Sequence, residues 1–173
     1  LVGSEMCIRD SNQHSEQFPL GGYLALPQVE KASVRIEARQ PDAQRYRVSA
    51  LYQATRHSGL HARDGQNPDR RVMLAATGGE WRFSPLLNNA QLPLDLSLET
   101  PTGLALGGWF IQGQKNAGVT LSALGINGAQ LGVVDKWQAG WQDTLKGLRP
   151  DLLLLAYGCL LYTSDAADDS LRV

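Results

Sequence analysis

The sequence predicts an α+β chain in two parts, an antiparallel β-sandwich of jelly-roll-like type followed by an incomplete α/β piece. Three observations lead there. Between residues 33 and 111 short runs alternate apolar and polar side chains and are broken at close spacing by Gly78, Gly79, Pro85, Pro93 and Pro101, the pattern of many short half-buried strands. From residue 118 the pattern changes to a β-rich run, two glycines three apart, an apolar stripe of helical spacing and a second apolar run. These last elements are too few to cover a parallel sheet on both faces, so the second part is incomplete as a fold.

Residues 12–21 are polar around Pro19 and read as a linker, with the sandwich expected over 22–112. Val34, Ile36 and Ala38 share one strand face, and Tyr46, Val48, Ala50 and Tyr52 share another, each set interleaved with polar residues. Residues 55–70, with Gly59, Gly65 and Pro68, read as a long polar loop. Further short strands are expected at 71–77, 80–83, 92–98 and 104–111.

The second part, residues 113–158, opens with alternating apolar residues over 118–124, which predict a strand running into a tight turn at Gly125 and Gly128. Leu131, Val134, Trp137, Trp141, Leu145 and Leu148 then form one stripe of a single helix, and Gly147 and Pro150 are its stop signals. Residues 151–157 form an apolar run of strand length. Strand, crossover helix and strand would make a parallel unit, with the Gly125 to Gly128 turn and Tyr157-Gly158 facing one crevice at the strands' carboxyl ends.

The Gly-Ile-Asn-Gly-Ala-Gln turn at 125–130, the helix with two tryptophans and the Pro-Asp-Leu-Leu-Leu-Leu-Ala-Tyr-Gly run at 150–158 resemble the second and third blocks of SGNH (GDSL-type) hydrolases. The likeness is to the peptidoglycan O-acetylesterases that carry an inserted carbohydrate-binding-like β domain. It covers residues 104–158 well and the preceding β region loosely. The resemblance implies a flavodoxin-like catalytic domain and hydrolysis of O-acetyl esters on a cell-envelope polysaccharide. It also implies a periplasmic or secreted location and no metal or organic cofactor. It assigns Gly128 as a backbone N–H donor to the oxyanion hole. The first block, with its Ser nucleophile, would lie upstream, and the third block would continue into an Asn where this chain has Cys159. Residues 1–11 and 159–173 resemble translated sequencing-adapter read-through of the kind found on metagenomic gene fragments, and were set aside from fold reasoning.

Composition narrows the alternatives. With 43% hydrophobic and 19% charged residues the chain can bury a core, and a formal charge of −1 leaves no electrostatic footprint for nucleic acid. No apolar run approaches the roughly 20 residues of a membrane-spanning helix. Cys7 and Cys159 both fall in the set-aside ends and say nothing of redox compartment.

Other chemistry-bearing residues carry weaker signals. His14, His57 and His61 read as solvated loop residues. His57, His61 and Asp64 lack the helix that would put two histidines four apart on one face of a metal site. Ser15 and Ser122 have no nucleophile motif around them, and Asp135 and Lys136 read as a solvated helix face. Trp81 and Trp109 could stack on sugars but read as sandwich core. Two other function classes remain open: a non-catalytic sugar-binding β-sandwich, and a nucleotide-binding α/β domain. The second is disfavoured because the glycine turn lacks the third glycine of the dinucleotide fingerprint.

Overall fold

The computed structural model describes residues 2–4, 6–10, 18–39, 43–115, 118–122, 124 and 131–155. Strands β1 (Val2–Ser4), β2 (Met6–Asp10), β3 (Tyr23–Pro27), β4 (Ser33–Ile36), β5 (Tyr46–Ala54), β6 (Ser58–Arg63), β7 (Arg70–Leu74), β8 (Arg82–Phe83), β9 (Leu87–Ala90), β10 (Leu94–Leu98) and β11 (Leu104–Gly113) are followed by a 3-10 helix (Leu131–Lys136) and α1 (Trp141–Leu148). They form two antiparallel sheets. The first runs β1-β4-β10-β6-β7; the second runs β2-β3-β11-β5-β8, with β9 also pairing on β5. Consecutive strands pair only in β2–β3 and β6–β7, so the chain crosses repeatedly between the sheets.

The period-2 pattern explains the core. Along β10, Leu94, Leu96 and Leu98 are almost fully buried while Asp95 and Ser97 point outward. Val34 and Ile36 of β4 and Leu60 and Ala62 of β6 join them from the first sheet, against Val48, Ala50, Tyr52, Leu104 and Leu106 of the second. Each leucine buried this way contributes about 1.5–3 kcal/mol, which is why the alternating segments pair face to face.

Several expectations are corrected. The stretch 55–70 is not one loop, because β6 occupies its middle and is the strand between β10 and β7. Its inward apolar set is only Leu60 and Ala62, too short a pattern to stand out among glycines and charges. Gly59 leaves room for the Glu99 carboxylate lying over it, which a Cβ there would force to shift.

Residues 18–21 of the expected linker are buried instead, with Phe18 fully covered. The single helix expected over 131–148 is split in two. Phe18 takes the backbone groups that a continuous helix needs: its N–H donates to the Lys136 carbonyl at 2.9 Å, and the Gln138 N–H donates to the Phe18 carbonyl at 2.7 Å. Gly140, at φ 89°, then turns the chain into α1, which ends at Arg149 with φ 50°.

The strands expected at 118–124 and 151–157 are not formed by the described residues of either stretch. Leu152, Leu153, Leu154 and Leu155 are exposed, as are Val119 and Leu121. An apolar run becomes a parallel strand only with strand neighbours and cover on both faces, and the described residues supply neither around these runs. The strands β1 and β2 arise from residues 1–11, which the sequence reading had set aside, and each lies at an edge of its sheet.

The second sheet also carries a small core on its outer face. Phe18, Leu24 and Ala105 are buried together, with Leu26, Trp81 and Trp137 packed against them. Trp137 and Trp141 meet edge to face at 4.9 Å, which ties the 3-10 helix to α1. Residues 18–21 and the C-terminal helices therefore cover one outer face of the sandwich, and the other is left open by the described residues.

Candidate functional site

The open face belongs to the first sheet, and strand register decides what it displays. Pairing aligns Ser33 with Ser97, Ser97 with His61 and His61 with Arg71, while the next row aligns Arg35, Asp95 and Arg63. Their inward neighbours are the core leucines, so the same alternation that builds the core makes this face polar. A groove of about 540 Å³ lies over these rows.

His61 sits between two carboxylates. Its Nδ1 is 2.7 Å from Asp69 and its Nε2 is 2.7 Å from Glu99. Hydrogen bonds to Asp69 and then Glu99 hold its pKa above the usual value, an arrangement that favours the protonated ring, whose two nitrogens both donate. Arg71 grips Glu99 with both Nε and Nη2, the latter at 2.7 Å. Those bonds, followed by the one from His61, draw the Glu99 carboxyl down to about 2. With both ring nitrogens occupied by carboxylate partners, His61 has none free to take a nucleophile's proton, so the geometry suits a scaffold of ion pairs and not a general base.

Arg35 bonds both Glu37, at 2.7 Å, and Asp95, at 3.2 Å. Arg63 differs from its neighbours: its Nε donates to the Pro68 carbonyl at 2.9 Å, and it forms no ion pair among the described residues. Asp64, by contrast, is turned inward. Burial pushes its pKa up, but the N–H groups of Gln66, Gln91 and Asn67 outweigh that and hold it low, and Arg70 closes on it at 2.6 Å. It pins the turn between β6 and β7 and does not join His57 or His61.

The remaining sequence candidates are dispersed. Gly128, Gly125, His14, Ser15 and Tyr157-Gly158 lie outside the described residues. His57 is exposed, Ser122 is exposed outside any strand or helix, and Asp135 is exposed on the 3-10 helix. Lys136 is half-buried, and its carbonyl accepts from Phe18. Trp109 packs against the main core. Trp81 packs on the small outer core and donates its indole N–H to Gln138. Neither tryptophan lines the groove. His61 was misplaced by sequence reasoning: it is a strand residue, and the alternation Leu60, His61, Ala62, Arg63 was the signal that could have shown it.

Two antiparallel sheets face to face, one of them with a polar outward surface, place the chain among β-sandwich modules. Residues 4–95 match the family described as peptidoglycan O-acetylesterase, N-terminal, and the chain belongs to that family. Among solved structures it is similar to a peptidoglycan O-acetylesterase captured "in action, 5 min", at 31% identity and a TM-score of 0.71 over 91% of this chain. This chain spans 41% of that structure's length. A second structure, TmCBM61 in complex with β-1,4-galactotriose, aligns at 18% identity and a TM-score of 0.45, over 65% of this chain and 86% of that one. A third is the Clostridium thermocellum N-terminal endo-1,4-β-D-xylanase 10B, CBM22-1-GH10 modules, complexed with xylohexaose. It aligns at 13% identity and a TM-score of 0.43, over 70% of this chain and 27% of that one. No curated protein matches the chain.

Proposed function

We propose that this chain is part of a carbohydrate esterase that hydrolyses O-acetyl esters of a cell-envelope polysaccharide in the periplasm or outside the cell. The family match over residues 4–95 carries the reading. In this proposal the sandwich supports a flavodoxin-like SGNH domain to which residues 113–158 contribute. The exposed side chains of Val119, Leu121 and Leu152 to Leu155 support it, because such apolar residues are normally buried against further structure.

The reaction is acyl transfer. A Ser attacks the acetyl carbonyl while a His takes its proton, and preorganised N–H donors stabilise the tetrahedral oxyanion. The acyl C–O bond breaks as the sugar oxygen takes that proton, and water then hydrolyses the acetyl-Ser to acetate. Gly128 supplies one such N–H, at the opening of the segment that leads to the 3-10 helix, where the missing side chain leaves room for the ester. No Gly-Asp-Ser block occurs in the 173 residues, so the proposal draws the nucleophile from chain outside this sequence and expects these residues alone to be inactive.

A second reading, a sugar-binding module without chemistry of its own, is favoured by the open polar face of the first sheet. One experiment separates the two. The complete reading frame is recovered from source DNA, and its product is assayed beside this chain on a chromogenic acetyl ester. Activity in the long form only, abolished when the upstream block's Ser becomes Ala, supports the esterase. A long form that binds glycan yet releases no acetate, and whose gene lacks the Ser block, overturns it in favour of the binding module.

A further inference from the structure

We propose that the groove on the outer face of the first sheet is a binding site for a carboxylate-bearing saccharide, with Arg63 receiving the carboxylate and the Ser33 and Ser97 hydroxyls bonding the ring substituents. The choice of a saccharide as carrier rests on the esterase reading; the charge preference rests on the groove alone.

Pairing within the groove points to an anion. Its lining holds Arg35, Arg63 and His61 beside two carboxylates, Asp69 and Asp95. Asp95 is held by Arg35, and Asp69 by His61. Arg63 lies directly across the strand pair from Asp95, yet its only hydrogen bond among the described residues is the one from Nε to the Pro68 carbonyl. That bond fixes the base of the guanidinium and leaves both Nη groups with open donors, the geometry that suits a carboxylate.

The hydroxyls complete the chemistry. Ser33 and Ser97 are register partners on β4 and β10, both line the groove, and neither hydroxyl has a protein partner among the described residues. Each offers a donor and an acceptor from a rigid strand, which suits a polyol. Among the described residues no aromatic side chain lines the groove, so the proposed recognition is drawn from hydrogen bonds and the ion pair at Arg63. A neutral sugar would leave that cation uncompensated.

The test titrates the 173-residue chain with two N-acetylated amino sugars, N-acetylmuramic acid, which bears a lactyl carboxylate, and N-acetylglucosamine, which lacks it. Binding is followed by NMR at the Arg63 Nε–H and the Ser33 and Ser97 amides. The expected result is tighter binding of the carboxylated sugar, weakened about tenfold or more by Arg63→Gln and partly restored by Arg63→Lys. Ser97→Ala, with Arg63 intact, should weaken both sugars alike. Equal binding of the two sugars, no binding of either, or a preference that survives Arg63→Gln overturns the proposal. Acetyl-ester hydrolysis by the complete protein is the separate test of the esterase reading: an inactive long form whose sandwich still shows the Arg63-dependent preference would sink that reading and leave this one standing.

Discussion

The two outer faces of the sandwich are built from the same alternating strands and have opposite fates. On the second sheet, Leu51 of β5 and Ala105 of β11 point outward and are buried. Gly107 lets Pro19 approach the strand closely enough to cover them, since a Cβ there would sit 2.8 Å from Pro19 Cγ and 3.1 Å from Leu51 Cδ2. On the first sheet the outward positions are Ser33, Arg35, His61, Arg63, Asp95 and Ser97, and no segment among the described residues covers them. Whether a sheet face is apolar decides whether it recruits cover, because only apolar area gains from leaving water. The polar face stays available for ligands, held rigid by ion pairs along its edge.

The largest effect should come from uncovering the second sheet. Phe18→Ala removes a fully buried ring from the outer core and should destabilise the chain by about 3–5 kcal/mol, read as a lower urea midpoint. Equal loss from an outward residue of the first sheet would break the comparison. Next in size, Gly107→Ala should cost about 1–3 kcal/mol by forcing Pro19 or Leu51 to shift; an unchanged melting temperature would mean that residues 18–21 do not lie on the strand.

On the open face, Glu99→Gln should lower the melting temperature less than either core change, and should lower the His61 pKa because one of its two carboxylate partners is gone. A ring NMR titration unchanged by the substitution would refute the pairing. The pH dependence has two limbs. His61 has a raised folded pKa, so its contribution is complete below about 6.5 and fades as pH climbs through the folded value. Glu99 has a depressed one, so its contribution is complete above 4.5 and fades as pH falls toward about 2. The network should therefore stabilise most between these limits, and His61→Gln should flatten the alkaline limb of a melting-temperature profile. The smallest effect is expected at Leu154→Asp, within about 0.5 kcal/mol for this chain, because the side chain is exposed; a large loss would restore the buried strand that the apolar run suggests.

Legibility followed the length of the pattern. The strands around Val34, Val48, Leu96 and Leu106 were readable because several inward residues repeat at period 2. β6 was not, since Leu60 and Ala62 are its only inward apolar side chains and its strand character comes from β10 and β7 on either side. The helix at 131–148 misled for the opposite reason: its stripe is real, but Phe18 takes the hydrogen-bonding groups that would have kept it continuous. The groove was out of reach, because its residues come from strands distant in sequence and meet only through register, as Ser33 does with Ser97.

By itself the sequence determined the sandwich, the polarity of each strand's two sides and the kinship with O-acetylesterases, since all three are written in local side-chain order. Tertiary structure alone decided which outer face is covered, that His61 is locked between Asp69 and Glu99, and that Arg63 is left without a carboxylate among the described residues. Those outcomes depend on which strands lie side by side, and strand pairing between distant segments is chosen by burial of the whole core, which no local pattern contains.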